Sequence, residues 1–566
     1  MRVSKKNQKW YVADFESTGE NYYKEHGYTK VWLYAVSDPD GNIVNYGDSI
    51  EKFLEWCYNN HGALVYFHNL KFDGVFVLYH LLHNGYTYKD EIFSHDKKGF
   101  STLIGDMGEF YQIKINFAPN KQITIYDSLK LIPLSVKEIA KAFKLPLEKG
   151  KIDYEDYKIT DETLDYVFRD VKIVAMAIKF FRDKGYTRMT IGSNSYHSFM
   201  DNVAGANILF PKLGKDYINE WRKAYRGGRS QVNPKYANKI MDNVYRFDLN
   251  SMYPSIMAQK RLPYGKPIPC KEPGHYAFEL YHIEAQFRLK PGHLPTLLQT
   301  NTMFSKAGDT YYIDTGGVIE LYVSNLDWEL VKRHYDIIYC KFLEIHGFKT
   351  IVGPFENWVK QMYELKSSSE GGLRLVYKLL LNSLYGKFGS KCEGINKIPV
   401  IGDEDSVTYT NSEMHDMPQY YLPMAIAIVS WAHVMIDDAI LEVGYDNFIY
   451  CDTDSVHCTK PLPDSMVDNK ELGKFKLEAI EETSKYIRQK TYCYKEDGKW
   501  NITCAGMPQS VKDYLIRQYG DDIINKMSIG LKVDEDSPNI ERTDLKLMPK
   551  KVKGGVLLLP VRFSLN

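Results

Sequence analysis

Asp452 and Asp454 stand one residue apart in Tyr450-Cys451-Asp452-Thr453-Asp454-Ser455, between apolar, strand-like residues. Two carboxylates on a tight turn can hold a divalent cation. A D-T-D triplet alone is weak, because such turns occur on many surface loops, but two upstream segments complete it. Asp248 follows the strand-like run Val244-Tyr245-Arg246-Phe247 and opens Asp248-Leu249-Asn250-Ser251-Met252-Tyr253-Pro254. Arg374, Lys378, Asn382 and Tyr385 fall at i, i+4, i+8 and i+11 of a helical pattern, close to one face. Leu379, Leu380, Leu381 and Leu384 fill the remaining faces, so core should grip this helix. Phosphoryl transfer needs this combination: acids for two metals, cations for a triphosphate and a wall for the sugar.

A second group of acids lies in the first third. Trp10-Tyr11-Val12-Ala13-Asp14-Phe15-Glu16 reads as a strand ending in two carboxylates, with further strands at Val31 to Ser37 and Ala63 to Phe67. His68-Asn69-Leu70-Lys71-Phe72-Asp73-Gly74 follows, leading into a helix pattern from Phe76 to His83. Thr160 to Phe181 reads as one long helix, capped by Thr160, with Tyr166 and Asp170 on a shared face. Each acid alone reads as a surface residue or a cap. As an ordered set, Asp14, Glu16, Asp73 and Asp170 would repel one another unless cations neutralise them. Two metals about 3.5–4 Å apart would then activate a water against a phosphodiester.

The elements that must position these residues belong to a mixed α/β chain of several domains, since 566 residues exceed one core. The chain is 44% hydrophobic and 25% charged, and its 44 tyrosines suit both core packing and base stacking. Lys plus Arg equals Asp plus Glu, which argues against a protein that coats nucleic acid non-specifically. Basic residues are grouped locally at Lys485, Arg488 and Lys490 and at Lys546, Lys550, Lys551 and Lys553. Eight cysteines without a C-x-x-C pair predict neither a disulfide framework nor a zinc site. No apolar run is expected to reach the ~18 residues of a membrane span, and no signal-peptide core follows the basic N-terminus.

The three downstream segments resemble the motifs of the family B DNA polymerases, and the chain as a whole resembles their protein-primed group. Further matches are Tyr225-Arg226-Gly227-Gly228, like a Y-x-G-G motif between two activities, Lys490-Thr491-Tyr492, like a K-x-Y motif near a primer terminus, and Lys366 in Lys366-Ser367-Ser368-Ser369-Glu370-Gly371. The resemblance implies a replicative DNA-directed DNA polymerase with a 3′–5′ proofreading exonuclease, protein-primed and strand-displacing. It implies an RNase H-like exonuclease domain followed by a right-hand palm, fingers and thumb with two insertions. The expected bounds are 1–185 exonuclease, 186–302 first part of the palm, 303–356 first insertion, 357–391 fingers, 392–422 second insertion, 423–507 rest of the palm and 508–566 thumb. In the first insertion, Thr310 to Ser324 reads as a Gly-Gly hairpin; the second reads as polar and loop-like.

By the same resemblance, Asp248, Asp454 and the Leu249 backbone hold metal, with Asp452 in support. Tyr253 excludes a 2′-hydroxyl, and Leu249, Lys366, Arg374, Lys378, Asn382 and Tyr385 meet the nucleotide. Arg374 stands where lysine is usual. Tyr225, Gly227, Gly228, Thr453, Lys490 and Tyr492 meet DNA. In the nuclease, Asp14, Glu16, Asp73 and Asp170 hold metal and Tyr166 orients the water. Ser17, Tyr66, His68, Asn69, Phe72, Phe76 and Leu129 hold the frayed strand, and Lys149 meets the scissile phosphate. The expected cofactors are two divalent ions per site, Mg2+ or Mn2+. Expected partners are template and primer DNA, dNTPs and a terminal protein, with a single-stranded DNA-binding protein as a further candidate. A monomer in the cytoplasm of an infected bacterial host, without membrane contact, fits this reading. Its alternatives are a conventionally primed family B polymerase and an inactive nucleic-acid-binding relative, the latter disfavoured because every catalytic acid is present. Tyr253 and the nuclease set argue against a reverse transcriptase or RNA polymerase.

Overall fold

The N-terminal acids ride on an eight-stranded mixed sheet. Its spatial order is Ile43–Gly47, Val31–Ser37, Trp10–Ser17, Leu64–Phe67, Lys121–Asp127, Phe110–Ala118, Gly99–Ile104 and Thr87–Tyr88. The structure, a computed structural model, describes residues 8–144, 157–299 and 310–565. Trp10–Ser17 lies antiparallel to Val31–Ser37 and parallel to Leu64–Phe67, which places it in the interior of the sheet. Side chains alternate across the sheet. Trp10 and Val12 pack with Val167, Val171 and Ile178 of the helix Asp161–Asp183, whereas Ala13 and Phe15 pack with Phe53 and Leu78 on the other face. The expected Thr160 cap forms: its side chain accepts from the Thr163 amide at 3.2 Å. The second helix begins earlier than its apolar pattern suggests, at Leu70, because Asn69 takes a left-handed conformation (φ 72°) that turns strand into helix. Asp73 therefore sits in its first turn.

A seven-stranded antiparallel sheet carries the downstream acids. Its order is Lys499–Cys504, Thr491–Glu496, Phe475–Arg488, Ile240–Leu249, Ser455–Cys458, Phe448–Asp452 and Ser230–Val232. Ile240–Leu249 is central, and Asp248 lies opposite Ser455 on one side and Lys476 on the other. Helices Glu356–Ser368 and Gly371–Phe388 pack on each other beside this sheet, and Leu380, Leu381 and Leu384 are buried as expected. One expectation fails: Leu422–Val443 is long and apolar enough to span a membrane. It is largely buried, and its polar Ser430, His433 and Asp437 are all bonded to neighbouring elements, the pattern of a central core helix.

Two further expectations are corrected. Ile319–Ser324 does not fold back on 310–315 as a self-contained hairpin. It pairs with Phe278–Leu289 in a four-stranded sheet completed by Arg261–Pro269 and Tyr335–Val352. Residues 392–422 are not an irregular loop: Lys397–Ile401 pairs antiparallel with Val407–Asn411, and Glu393–Gly394 with His415–Asp416. Their polar composition reflects a two-stranded ribbon, which has little interior to fill. The C-terminal segment forms a helix, Gln509–Tyr519, and a hairpin of Lys546–Val552 with Gly555–Val561. The hairpin turn presses so closely on the N-terminal sheet that a Cβ on Gly554 (φ 90°) would lie 1.9 Å from the Thr29 carbonyl oxygen.

Candidate active sites

The first site is a cleft of about 490 Å³ between the seven-stranded sheet and the helix Gly371–Phe388, lined by 248–254, Lys366, Arg374, Lys378, Asn382, Tyr385 and Asp454. Strand register brings Asp248 beside the D-T-D turn, and the Leu249 amide donates to the Asp454 carbonyl at 2.8 Å. Thr453 occupies the left-handed region (φ 59°), and its amide donates to the Arg229 carbonyl at 2.7 Å. The Y-R-G-G segment thereby meets the acids directly. A Cβ on Gly228 would stand 2.9 Å from Thr453 Oγ1, so only glycine allows this approach without displacement. Gly227 offers its carbonyl to His433 Nε2 at 2.7 Å, and Tyr225 packs its phenol against Gly389.

Burial raises the Asp248 carboxyl to about 7, with repulsion from Asp454 and Glu478 adding to it. Burial also raises Asp454, reinforced by Asp452. Both shifts disfavour bare anions and favour a bound cation. The Leu249 side chain is buried and carries no donor, so a metal could meet only its backbone carbonyl. Asp452 is turned to another partner, Lys490, whose Nζ reaches both carboxylate oxygens at 2.6 and 2.8 Å. On the facing helix Arg374, Lys378 and Asn382 are exposed into the cleft. Lys366 Nζ donates to Ser251 Oγ at 3.1 Å; burial and the neighbouring Arg374 and Lys378 lower its pKa. Tyr492 lies outside the cleft lining, stacked on Tyr486 with centroids 5.1 Å apart.

The second site is a cleft of about 430 Å³ beside the strand Trp10–Ser17, lined in part by Asp14, Glu16, Ser17, His68, Phe72, Tyr166 and Asp170. Asp73 is buried behind it, and burial followed by repulsion from Asp14 and Glu16 raises its pKa well above the carboxylate range. His68 is braced between Ser128 Oγ (2.9 Å) and the Leu134 carbonyl (2.7 Å). Asn69 is exposed at the helix start, and Leu129 is half-buried. Like Asn69 and Leu129, Tyr66 and Phe76 lie outside the cleft lining. Tyr66 is buried in the core, its hydroxyl accepting from Arg182 NH1 at 3.1 Å and its ring edge-on to Trp10. Phe76 is buried beneath Gly555 of the C-terminal hairpin. Lys149 lies outside the described residues.

Sequence reasoning missed Asp127, whose Oδ1 accepts from the Asn69 and Leu129 amides at 3.1 and 3.0 Å and so ties two expected contact residues together. An acid ending the strand Lys121–Asp127 was the available signal. It also missed the C-terminal Arg542, Leu547, Val556 and Leu558, which wall the same cleft from over 350 residues away. Among the described residues, no three His, Cys, Asp or Glu side chains converge as a preformed metal cluster. What each cleft offers is acids in mutual repulsion: Asp248 with Asp454, and Asp73 with Asp14 and Glu16. Oxygen donors of this kind suit Mg2+ or Mn2+.

An acid-bearing antiparallel sheet facing a cationic helix, on one chain with a separate acid-bearing mixed sheet, suits a template-directed polymerase. The model of the type B DNA polymerases, organellar and viral, matches residues 55–158 and 154–471, and the chain belongs to this family. It is 33% identical to the DNA polymerases of Bacillus phage Nf (99% of this chain, 100% of the relative) and Bacillus phage phi29 (99% of both). It is 30% identical to that of Streptococcus phage Cp-1 over 98% of both chains. The structure of phi29 DNA polymerase with primer-template DNA and incoming nucleotide superposes with a TM-score of 0.88 at 32% identity, covering 99% of this chain and 100% of that one. The chain is a DNA-directed DNA polymerase, with the multidomain α/β fold expected of it.

Proposed function

We propose that this chain is a protein-primed replicative polymerase that displaces the strand ahead and proofreads with a second, 3′–5′ exonuclease site. The observation that carries the proposal is the pair of separate clefts, one acid-lined with three cations facing it and one acid-lined beside a positioned tyrosine. The phi29 polymerase, similar over the full length, is known in complexes with primer-template DNA, incoming nucleotides and single-stranded DNA. These three ligands suit the two clefts here.

In the first cleft Asp248, Asp454 and the Leu249 carbonyl would hold the ions. When bound, two divalent ions lower the charge barrier between a primer hydroxyl and the α-phosphate. Lys366, Arg374 and Lys378 neutralise the triphosphate, Asn382 orients it, and Tyr253 and Tyr385 close the sugar and base side. Thr453, Gly228 and Lys490 hold the primer terminus and template. In the second cleft Asp14, Glu16, Asp73 and Asp170 would hold the ions, Tyr166 orients the attacking water, and Ser17, His68, Asn69, Phe72 and Leu129 receive the frayed end. The proposed division into exonuclease, palm, fingers, thumb and two insertions assigns the first insertion to a terminal protein and the second to enclosing DNA.

The test separates the two chemistries. Asp248→Asn or Asp454→Asn abolishes primer extension while single-stranded DNA is still degraded. Asp14→Ala with Asp73→Ala does the reverse. Extension at the wild-type rate in the first pair, or undiminished release from a 3′-labelled mismatch in the second, defeats the corresponding site. Transfer of labelled dAMP to a cognate small protein tests priming; no covalent adduct leaves a conventionally primed enzyme working in the infected cell.

A further inference from the structure

The second cleft is walled on one side by the C-terminal segment, and the contact is charged. Arg542 NH2 lies 2.7 Å from Glu20 Oε2, and Lys24 Nζ lies 2.8 Å from the other oxygen of the same carboxylate. Both Glu20 and Arg542 line the cleft, and among its described lining residues Arg542 is the one Lys or Arg. A phosphodiester entering here meets Asp14, Glu16 and Asp170, all of its own sign. A cation at the mouth is what such a strand needs before metal can engage it.

We propose that Arg542 binds a backbone phosphate of the single strand entering this cleft, and that Glu20 is the resting partner it leaves to do so. The proposal rests on the nuclease reading of the cleft.

The arrangement suits an exchange of anions. Arg542 begins a short turn, Arg542–Asp544, whose backbone is fixed: the Glu541 amide donates to Asp544 Oδ2 at 3.0 Å, and Arg517 NH2 reaches the same oxygen at 2.6 Å. The side chain itself is 54% exposed, so it can swing without disturbing the turn. Exposed ion pairs contribute little, and a phosphate offers a guanidinium two parallel charge-assisted bonds. Glu20 does not lose all compensation when Arg542 leaves. Its carboxyl is held below the usual range first by Lys24 and then by Arg542, and Lys24 stays. The residue that grips the frayed strand would thus come from the same C-terminal unit whose hairpin walls the cleft, so that unit and nuclease act on one substrate.

The experiment uses the full chain and a single-stranded oligonucleotide. Binding is measured with chelator across a salt series, and 3′–5′ degradation with Mg2+. Arg542→Ala is expected to raise KM several-fold with kcat unchanged. The slope of log affinity against log salt should shrink by about 0.7, the value for one phosphate contact on a single strand. Arg542→Lys keeps the slope and part of the affinity. Glu20→Gln tightens binding, and this gain disappears in the Arg542→Ala background. Wild-type KM and slope in Arg542→Ala, or a Glu20→Gln gain that persists without Arg542, overturns the proposal. If Asp14→Ala with Asp73→Ala abolishes degradation in the same assay, that failure belongs to Arg542 alone. If it does not, the nuclease reading falls as well.

Discussion

Tyr253 and Tyr385 stack with ring centroids 3.9 Å apart and planes inclined by 27°, both within the lining of the first cleft. Burial and then Tyr385 raise the pKa of the Tyr253 hydroxyl, so that the Tyr253 ring stays neutral. On the proposed reading of the cleft, a ribose 2′-hydroxyl would compete with that ring for space. Tyr253→Val is therefore expected to lower discrimination between dNTP and rNTP on the order of tenfold to a hundredfold, the scale of one steric contact. The ratio of kcat/KM values measures it; an unchanged ratio removes Tyr253 from the gate.

Lys490 Nζ donates to both carboxylate oxygens of Asp452 and also acts on Asp454, where burial and Asp452 raise the carboxyl and Lys490 opposes them. Lys490→Met removes the opposing charge. Asp454 then holds its proton to higher pH, and because metal takes the deprotonated form, the acid limb of the extension rate moves to higher pH. Lys490→Arg should leave that limb near its original place. A pH–rate profile at fixed Mg2+ decides the matter, and a shift toward lower pH would contradict it.

Behind the Gly227–Gly228 segment lies a buried relay. His433 Nε2 meets the Gly227 carbonyl at 2.7 Å, and its Nδ1 meets Asp327 Oδ1 at 2.7 Å. Burial would raise Asp327, but the pair with His433, helped by Arg226 and Ser430, brings it down to about 2. A carboxyl depressed by folding stabilises the protein above its unfolded pKa of about 3.9 and loses that contribution as pH falls through the folded value. Asp327→Asn should cost on the order of 2–3 kcal/mol near neutrality by that arithmetic. The gap between variant and wild type should close between about pH 4 and pH 2. Denaturant melts across this range measure it; a gap independent of pH would show that the pair carries no linkage.

What the sequence disclosed and what it withheld follow from distance along the chain. The strand Trp10–Ser17, the Thr160 cap and the one-sided placement of Arg374, Lys378 and Asn382 arise from local periodicity and capping, and were legible. Tyr66, expected to meet the strand by resemblance, is buried here because Asp161–Asp183 covers its face of Leu64–Phe67. Ile319–Ser324 was misread because its partner strand lies some 40 residues upstream, so a nearby Gly-Gly turn was the stronger local signal. Arg542 carries no local mark at all. Only the fold brings it to a strand at the other end of the chain.

Asp405 is another long-range contact of this kind. It sits at the tip of the Lys397–Ile401/Val407–Asn411 hairpin. Oδ1 meets His83 Nε2 at 2.8 Å, and Oδ2 accepts from the Tyr79 hydroxyl at 3.2 Å. Lys553 Nζ of the C-terminal hairpin stands 3.1 Å from Oδ2. Val407 is fully buried in the apolar cluster of the N-terminal sheet, and Lys551 Nζ lies 3.8 Å over the Tyr409 ring. Three parts of the chain thus meet at one carboxylate. If the hairpin encloses DNA, this contact keeps the enclosure shut. Asp405 has φ 52°, a conformation asparagine adopts readily, so Asp405→Asn removes the charge and keeps the turn. The expected result is shorter products and weaker strand displacement on a primed circle in the presence of a DNA trap, with single-nucleotide insertion unchanged. Raising salt should move the wild type toward the variant, because the ion pair of Asp405 with Lys553 is partly exposed and therefore screened. Deleting residues 394–420 should exaggerate the same defect. Full-length rolling-circle synthesis by Asp405→Asn and by the deletion would show that the hairpin is a passive ornament of the fold and that processivity arises elsewhere.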